Sequence, residues 1–200
     1  MRRSKGDTAE TRKRIVSAAA ERFLARGITS TAIADVMVAA GLTKGGFYRH
    51  FESKEQLIAE ANRLAFDSLF EMLEAKTKGK TPKQALETIV HLYLYQHRIK
   101  ELLYKCPLPN LGSELKRSNG CVKDVTVDGC QHLIRLVTRQ TERLNIADHE
   151  ATAHAIVSMM VGSVTLSELV SDETTAKSIL ANAERAVHAL CGPSARSRRA

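Results

Sequence analysis

Apolar residues recur at helical spacing along nearly the whole of this chain, and the alternating pattern of a strand persists nowhere. That periodicity restricts the fold to the all-α class, and the breaks in it near the N-terminus restrict it further. From Thr8 to Arg26, Ile15, Ala19 and Phe23 lie four apart with Val16, Ala20 and Leu24 beside them, and Gly27 comes next as a stop. Ile33, Val36, Met37 and Ala40 trace a second helical face behind Thr31, a candidate N-cap. Gly41 suits the left-handed backbone that ends a helix, and Thr43 can cap the next one with its hydroxyl. A short helix, a tight turn and a second short helix make a helix-turn-helix, a device for placing one helix in the major groove of DNA. Three short helices in about fifty residues bury enough apolar surface only as a compact bundle.

Charge points the same way. Residues 1–54 hold eleven Lys or Arg against five Asp or Glu, so this quarter of the chain carries +6 of the total +8. A basic surface concentrated on one small domain is the electrostatic footprint of a phosphate-backbone binder.

The sequence Ala40-Gly41-Leu42-Thr43-Lys44-Gly45-Gly46-Phe47-Tyr48-Arg49-His50-Phe51-Glu52-Ser53-Lys54-Glu55-Gln56-Leu57 closely resembles the DNA-binding domain of the TetR family of bacterial transcriptional regulators. The resemblance covers residues 8–57. It implies a TetR-like fold: a three-helix DNA-binding domain over 8–54 and a larger helical ligand-binding and dimerisation domain over 55–192. The basic termini 1–7 and 193–200 are expected to be disordered.

It also implies roles at matching positions. Thr43, Lys44, Gly45 and Gly46 open the recognition helix, where the missing side chains at 45 and 46 let the backbone approach DNA. Tyr48 and His50 correspond to positions that contact phosphate or base edges, although His50 also reads as a packing or capping residue. Lys54 at the start of the linking helix is expected to meet a phosphate, and Thr31 another through its hydroxyl or neighbouring amides. Arg49 is the candidate for sequence preference. Phe47 and Phe51 are expected in the core.

Beyond Ser53, expected as a cap, a long helix runs to about Ala75 and Thr77 to Thr81 make a polar turn. Pro82 opens a helix expected to end near Tyr104, and Pro107 and Pro109 force a break. After the turn Ser118-Asn119-Gly120, a helix runs to about Leu144. Another runs from Asp148 to near Val170, and the last begins at Asp172 or Thr174 and ends at about Leu190. The helix from Asp148 is apolar or small around most of its circumference, so it needs two surfaces to bury against. Ala151, Ala155, Ser158, Gly162 and Leu166, with Ile179, Ala183 and Val187 of the last helix, are the candidate dimer interface, unless both faces are buried within one subunit.

Tyr93, His97, Cys106 and His132 are polar candidates for an effector pocket, although the stripe Leu86, Val90, Tyr93 and His97 also reads as plain core. Cys106 beside Lys105 is a candidate thiol or electrophile sensor, or a small residue tucked under a joint. Cys121 and Cys130 are nine residues apart, roughly 13 Å along one helix, too far for one metal or one disulfide. No metal and no cofactor is expected. There is no glycine-rich phosphate loop, Gly-x-Ser-x-Gly elbow or His-Glu-x-x-His, so an enzyme on a helical fold ranks last. No secretory signal or membrane span is read, which leads to the expectation of a cytoplasmic protein with reduced thiols. The partners expected are double-stranded operator DNA, a second copy of the chain and a small-molecule effector. The function expected is a ligand-responsive repressor, although the sequence alone does not separate repression from activation.

Overall fold

The computed structural model describes residues 5–96, 101–118 and 120–191. Among them every regular element is helical. They are α1 (Lys5–Arg26), α2 (Ile33–Ala39), a 3-10 segment (Lys44–Arg49), α3 (Lys54–Thr77), α4 (Pro82–Leu94), a 3-10 turn (Leu102–Tyr104), α5 (Pro107–Lys116), α6 (Gly120–Arg143), α7 (His149–Leu169) and α8 (Glu173–Leu190).

Local chemistry sets most of these ends. α1 stops because Gly27 takes φ 86°, a left-handed value costly for a side chain, while its amide still donates to the Phe23 carbonyl at 2.8 Å. Ser53 Oγ accepts the Gln56 amide at 3.1 Å and so caps α3. At α4, Thr81 Oγ1 accepts from the Gln84 amide at 3.3 Å while Gln84 Oε1 accepts from the Thr81 amide at 3.2 Å, with Pro82 in the first position. The Asp172 carboxylate caps α8 by accepting the Thr174 and Thr175 amides at 3.4 and 2.8 Å.

Three boundaries depart from the sequence reading. α1 begins at Lys5, inside the segment 1–7 expected to be disordered, and carries Gly6 within its first turn. The helix from Pro82 ends at Leu94, where Tyr95 leaves helical geometry (φ −102°, ψ 25°), and Leu102–Tyr104 makes a separate turn. The prolines expected only to break the chain open a helix instead. Pro107 and Pro109 occupy the first and third positions of α5, where a helix has no use for the missing amide hydrogens.

The described residues form two compact units. One is drawn from Met1–Glu71 and Ile99–Cys130, the other from Met72–Arg98 and Gln131–Ala200, so α3 and α6 each contribute to both. The first unit reaches beyond residues 8–54 because α5 packs against α1, with Leu111 and Leu115 buried. Its core includes Ile15, Phe23, Met37, Phe47, Phe51, Leu57 and Phe66. In the second unit α4, α7 and α8 pack on one another, burying Ile89, Val90 and Leu94 of α4, Ile156 and Met160 of α7, and Leu180 of α8.

Candidate nucleic-acid interface

The interface begins where α2 ends. Gly41 has φ 70°; the Leu42 amide donates to the Met37 carbonyl at 2.8 Å and the Gly41 amide to the Val38 carbonyl at 2.9 Å. Those two bonds close α2 and turn the chain sharply toward the 3-10 segment. Thr43 is extended and stands at the N-cap as expected, yet its side chain caps nothing; its carbonyl accepts the Gly46 amide at 3.1 Å.

The expected second helix is a 3-10 segment of six residues. Phe47 points inward and is completely buried, stacked 5.5 Å from the Phe51 ring. The outward positions carry Lys44, Gly45, Tyr48 and Arg49, all exposed, with Tyr48 at 76%. Tyr48 meets Phe47 edge to face at 5.1 Å, so the exposed phenol stands on a buried aromatic base. Gly46 is partly covered and His50 half-buried.

Arg12 holds the far end of the segment, a role the sequence reading did not assign. Its guanidinium lies 4.2 Å over the Phe51 ring, donates to the His50 carbonyl, and pairs with Glu60 of α3. Within the run Arg12-Lys13-Arg14 only Lys13 and Arg14 are exposed. Composition alone cannot tell which member of a basic run turns inward.

Two residues read as phosphate contacts also hold the turn between α1 and α2. Thr31 is not the N-cap of α2; Ala32 is, with its amide donating to Asp35 Oδ2 at 3.3 Å. Thr31 is 1% exposed, and its hydroxyl donates to the Gly27 carbonyl at 2.7 Å. Lys54 Nζ donates to the carbonyls of Ile28 at 3.1 Å and Thr31 at 2.8 Å, which ties it to the turn between α1 and α2. The same turn is gripped from α5: Glu114 accepts the Ile28 amide at 2.9 Å and the Thr29 amide at 2.7 Å. Burial pushes the Glu114 carboxyl up, but the bonds from Thr29 and Ile28 and the nearby Arg117 charge outweigh it and hold the group below the ordinary glutamate range.

The described effector candidates are divided between the two units. Cys106 is fully buried at the N-cap of α5 in the first unit. Tyr93 is 1% exposed and His132 half-buried in the second unit. His97 lies outside the described residues. A cleft of about 360 Å³ in the second unit is lined instead by Lys83, Leu86, Glu87, Val90, Leu144, Val187, His188 and Cys191. Among the described residues no cluster of His, Cys, Asp and Glu could hold a metal, and no helix is long and apolar enough to cross a membrane.

Of the dimer candidates, Ala151, Ala155, Ser158 and Leu166 lie exposed on one face of α7, with Gly162 and Ile179 half-buried. Ala183 and Val187 differ. They are 8% and 4% exposed because this stripe of α8 packs into its own unit, Val187 beside Leu86 and Val90.

A family model described as bacterial regulatory proteins, tetR family, matches residues 15–61. The HTH-type transcriptional regulator AcrR of Shigella flexneri is 31% identical over 94 residues, 47% of this chain and 43% of that protein. The HTH-type transcriptional repressor BepR of Brucella suis is 44% identical over 54 residues, 27% of this chain and 26% of that protein. The matched stretch therefore spans less than half the length of these curated relatives. A TetR transcriptional regulator from Chloroflexus aurantiacus, known as a crystal structure, is 26% identical and superposes with a TM-score of 0.79 over 92% of this chain and 96% of its own.

Proposed function

We propose, on the premise that this chain belongs to the tetR family of bacterial regulatory proteins, that it is a homodimeric repressor that leaves a pseudo-palindromic operator when a small molecule binds its second unit. The observation that carries the DNA-binding part is the exposed edge of the 3-10 segment. Lys44, Gly45, Tyr48 and Arg49 stand outward on a backbone fixed from behind by Phe47, Phe51 and Arg12. A rigid support with an exposed phenol and two cations suits backbone contacts from Tyr48 and Lys44 and guanine recognition by Arg49. Two such edges related by a two-fold axis read two half-sites, and their separation sets the spacing. The cleft bounded by Leu86, Val90 and Val187, with Lys83, Glu87 and His188 at its wall, supplies an apolar floor and a charged rim for an amphipathic organic effector.

The test is fluorescence anisotropy on duplex DNA from upstream of its own gene against scrambled DNA, over several salt concentrations, with Tyr48→Ala and Arg49→Ala beside the wild type. Tight, salt-sensitive binding to the upstream duplex, weakened by both changes, is the expected result. Absence of binding at low salt to any duplex would sink the regulator reading.

A further inference from the structure

The turn between α1 and α2 is held from three sides. Its carbonyls at Ile28 and Thr31 accept the ammonium of Lys54 from α3, and its Gly27 carbonyl accepts the Thr31 hydroxyl. Its amides at Ile28 and Thr29 point the other way. Successive amides after a left-handed glycine form a concavity that binds an anion, and this one is filled by a carboxylate 86 residues further along the chain. Gly27 makes room for it: besides the strain of φ 86°, a Cβ there would lie 3.2 Å from Glu114 Oε2. Glu114 is itself fixed, since α5 is seated by Leu111 and Leu115 on either side of it in the sequence, both 1% exposed.

We infer that Glu114 is a positioning residue for DNA binding, through which α5 sets the orientation of the helix-turn-helix. The inference rests on the regulator reading above. Two charge-assisted bonds from one side chain make the turn and α5 move together or part with the loss of both. The turn leads straight into Ala32 and α2, and α2 leads through Gly41 into the recognition segment. A displacement of α5 is therefore felt at Tyr48 and Arg49 with no direct contact between them.

The experiment compares the full chain with Glu114→Gln and Glu114→Asp on the upstream duplex. It is run at a temperature where circular dichroism shows each variant folded and across several salt concentrations. Glu114→Gln keeps the side chain's length but has only one acceptor oxygen; Glu114→Asp keeps the charge but is too short to hold both amides. Both are expected to bind roughly tenfold weaker or more, the scale of losing bonds to a charged group. The slope of log affinity on log salt should change alike in the two variants, because the misplaced segment, and not the charge at 114, sets it. Amide exchange at Ile28 and Thr29 should speed up in both. Wild-type affinity in the folded variants would reduce Glu114 to a stabilising residue and overturn the inference. So would wild-type affinity in Glu114→Asp beside a loss in Glu114→Gln, which would mean that Glu114 acts through its charge and not by holding both amides. Failure of the wild type itself to bind would strike the regulator reading first and is visible separately.

Discussion

Gly45 has open space where a side chain would begin: no atom lies within 4 Å of an added Cβ, and its backbone is not left-handed. Nothing inside the protein asks for glycine there, so any demand comes from outside, from DNA approaching the backbone. Gly45→Ala should therefore leave the thermal midpoint unchanged or slightly raised, since alanine loses less chain entropy on folding. Its affinity for the upstream duplex should fall; an unchanged affinity in anisotropy would remove the close approach. Glu114 gives a prediction in pH. Its folded carboxyl titrates below the ordinary value, so its stabilisation is complete above the unfolded glutamate pKa of about 4.3. That stabilisation is lost as pH falls through the lower folded value. The stability gap between wild type and Glu114→Gln should be flat from pH 7 to 5 and close on further acidification, as read by denaturant titration at each pH. The residue types of this interface were readable in the sequence, but their direction was not. Lys54 and Thr31 lie in a family motif that suggests phosphate, and the motif does not announce that the folded turn also offers them carbonyls.

At the scale of the element, helix ends with a chemical marker were legible and ends without one were not. Ser53, Gly27, Pro82 and Asp172 each satisfy or release specific backbone groups, and their helices start or stop beside them. α4 ends at Leu94 with no glycine or proline to announce it, and α5 was hidden because a proline is read as a breaker before it is read as a first-turn residue. The recognition segment is 3-10, which periodicity over six residues does not distinguish from α. Close approach is equally silent in a single chain. Gly129 of α6 lies against α3, where a Cβ would come within 2.6 Å of the Phe66 ring. Gly129→Ala should cost about 1–3 kcal/mol, the scale of overpacking a filled core, measured as a shift in the denaturant midpoint. A neutral result would mean that Phe66 swings aside at no cost.

At the scale of the molecule, the open question is what covers α7. Its inner face, with Ala153, Ile156, Met160 and Val164, is buried, while Ala151, Ala155 and Ser158 on the outer face leave a shallow exposed surface. Leu166 and Leu169, 54% and 73% exposed, stand at the end of the same helix. Small residues let a second helix come near, and exposed leucines supply apolar area that a two-fold axis would bury in duplicate. A charge at Leu166 tests this without disturbing the subunit, because more than half of that side chain already faces solvent. Leu166→Glu should keep the wild-type circular dichroism spectrum. It should move the proposed dimer to monomer in sedimentation at micromolar concentration, and it should weaken binding to a two-half-site duplex far more than to a single half-site. Two glutamates brought face to face would oppose the association, and a monomer loses the fixed spacing between its reading edges. If the variant sediments as the wild type does, this face of α7 is not where two copies meet. The exposed leucines would then need another partner, and the two-fold reading of the operator would need another interface.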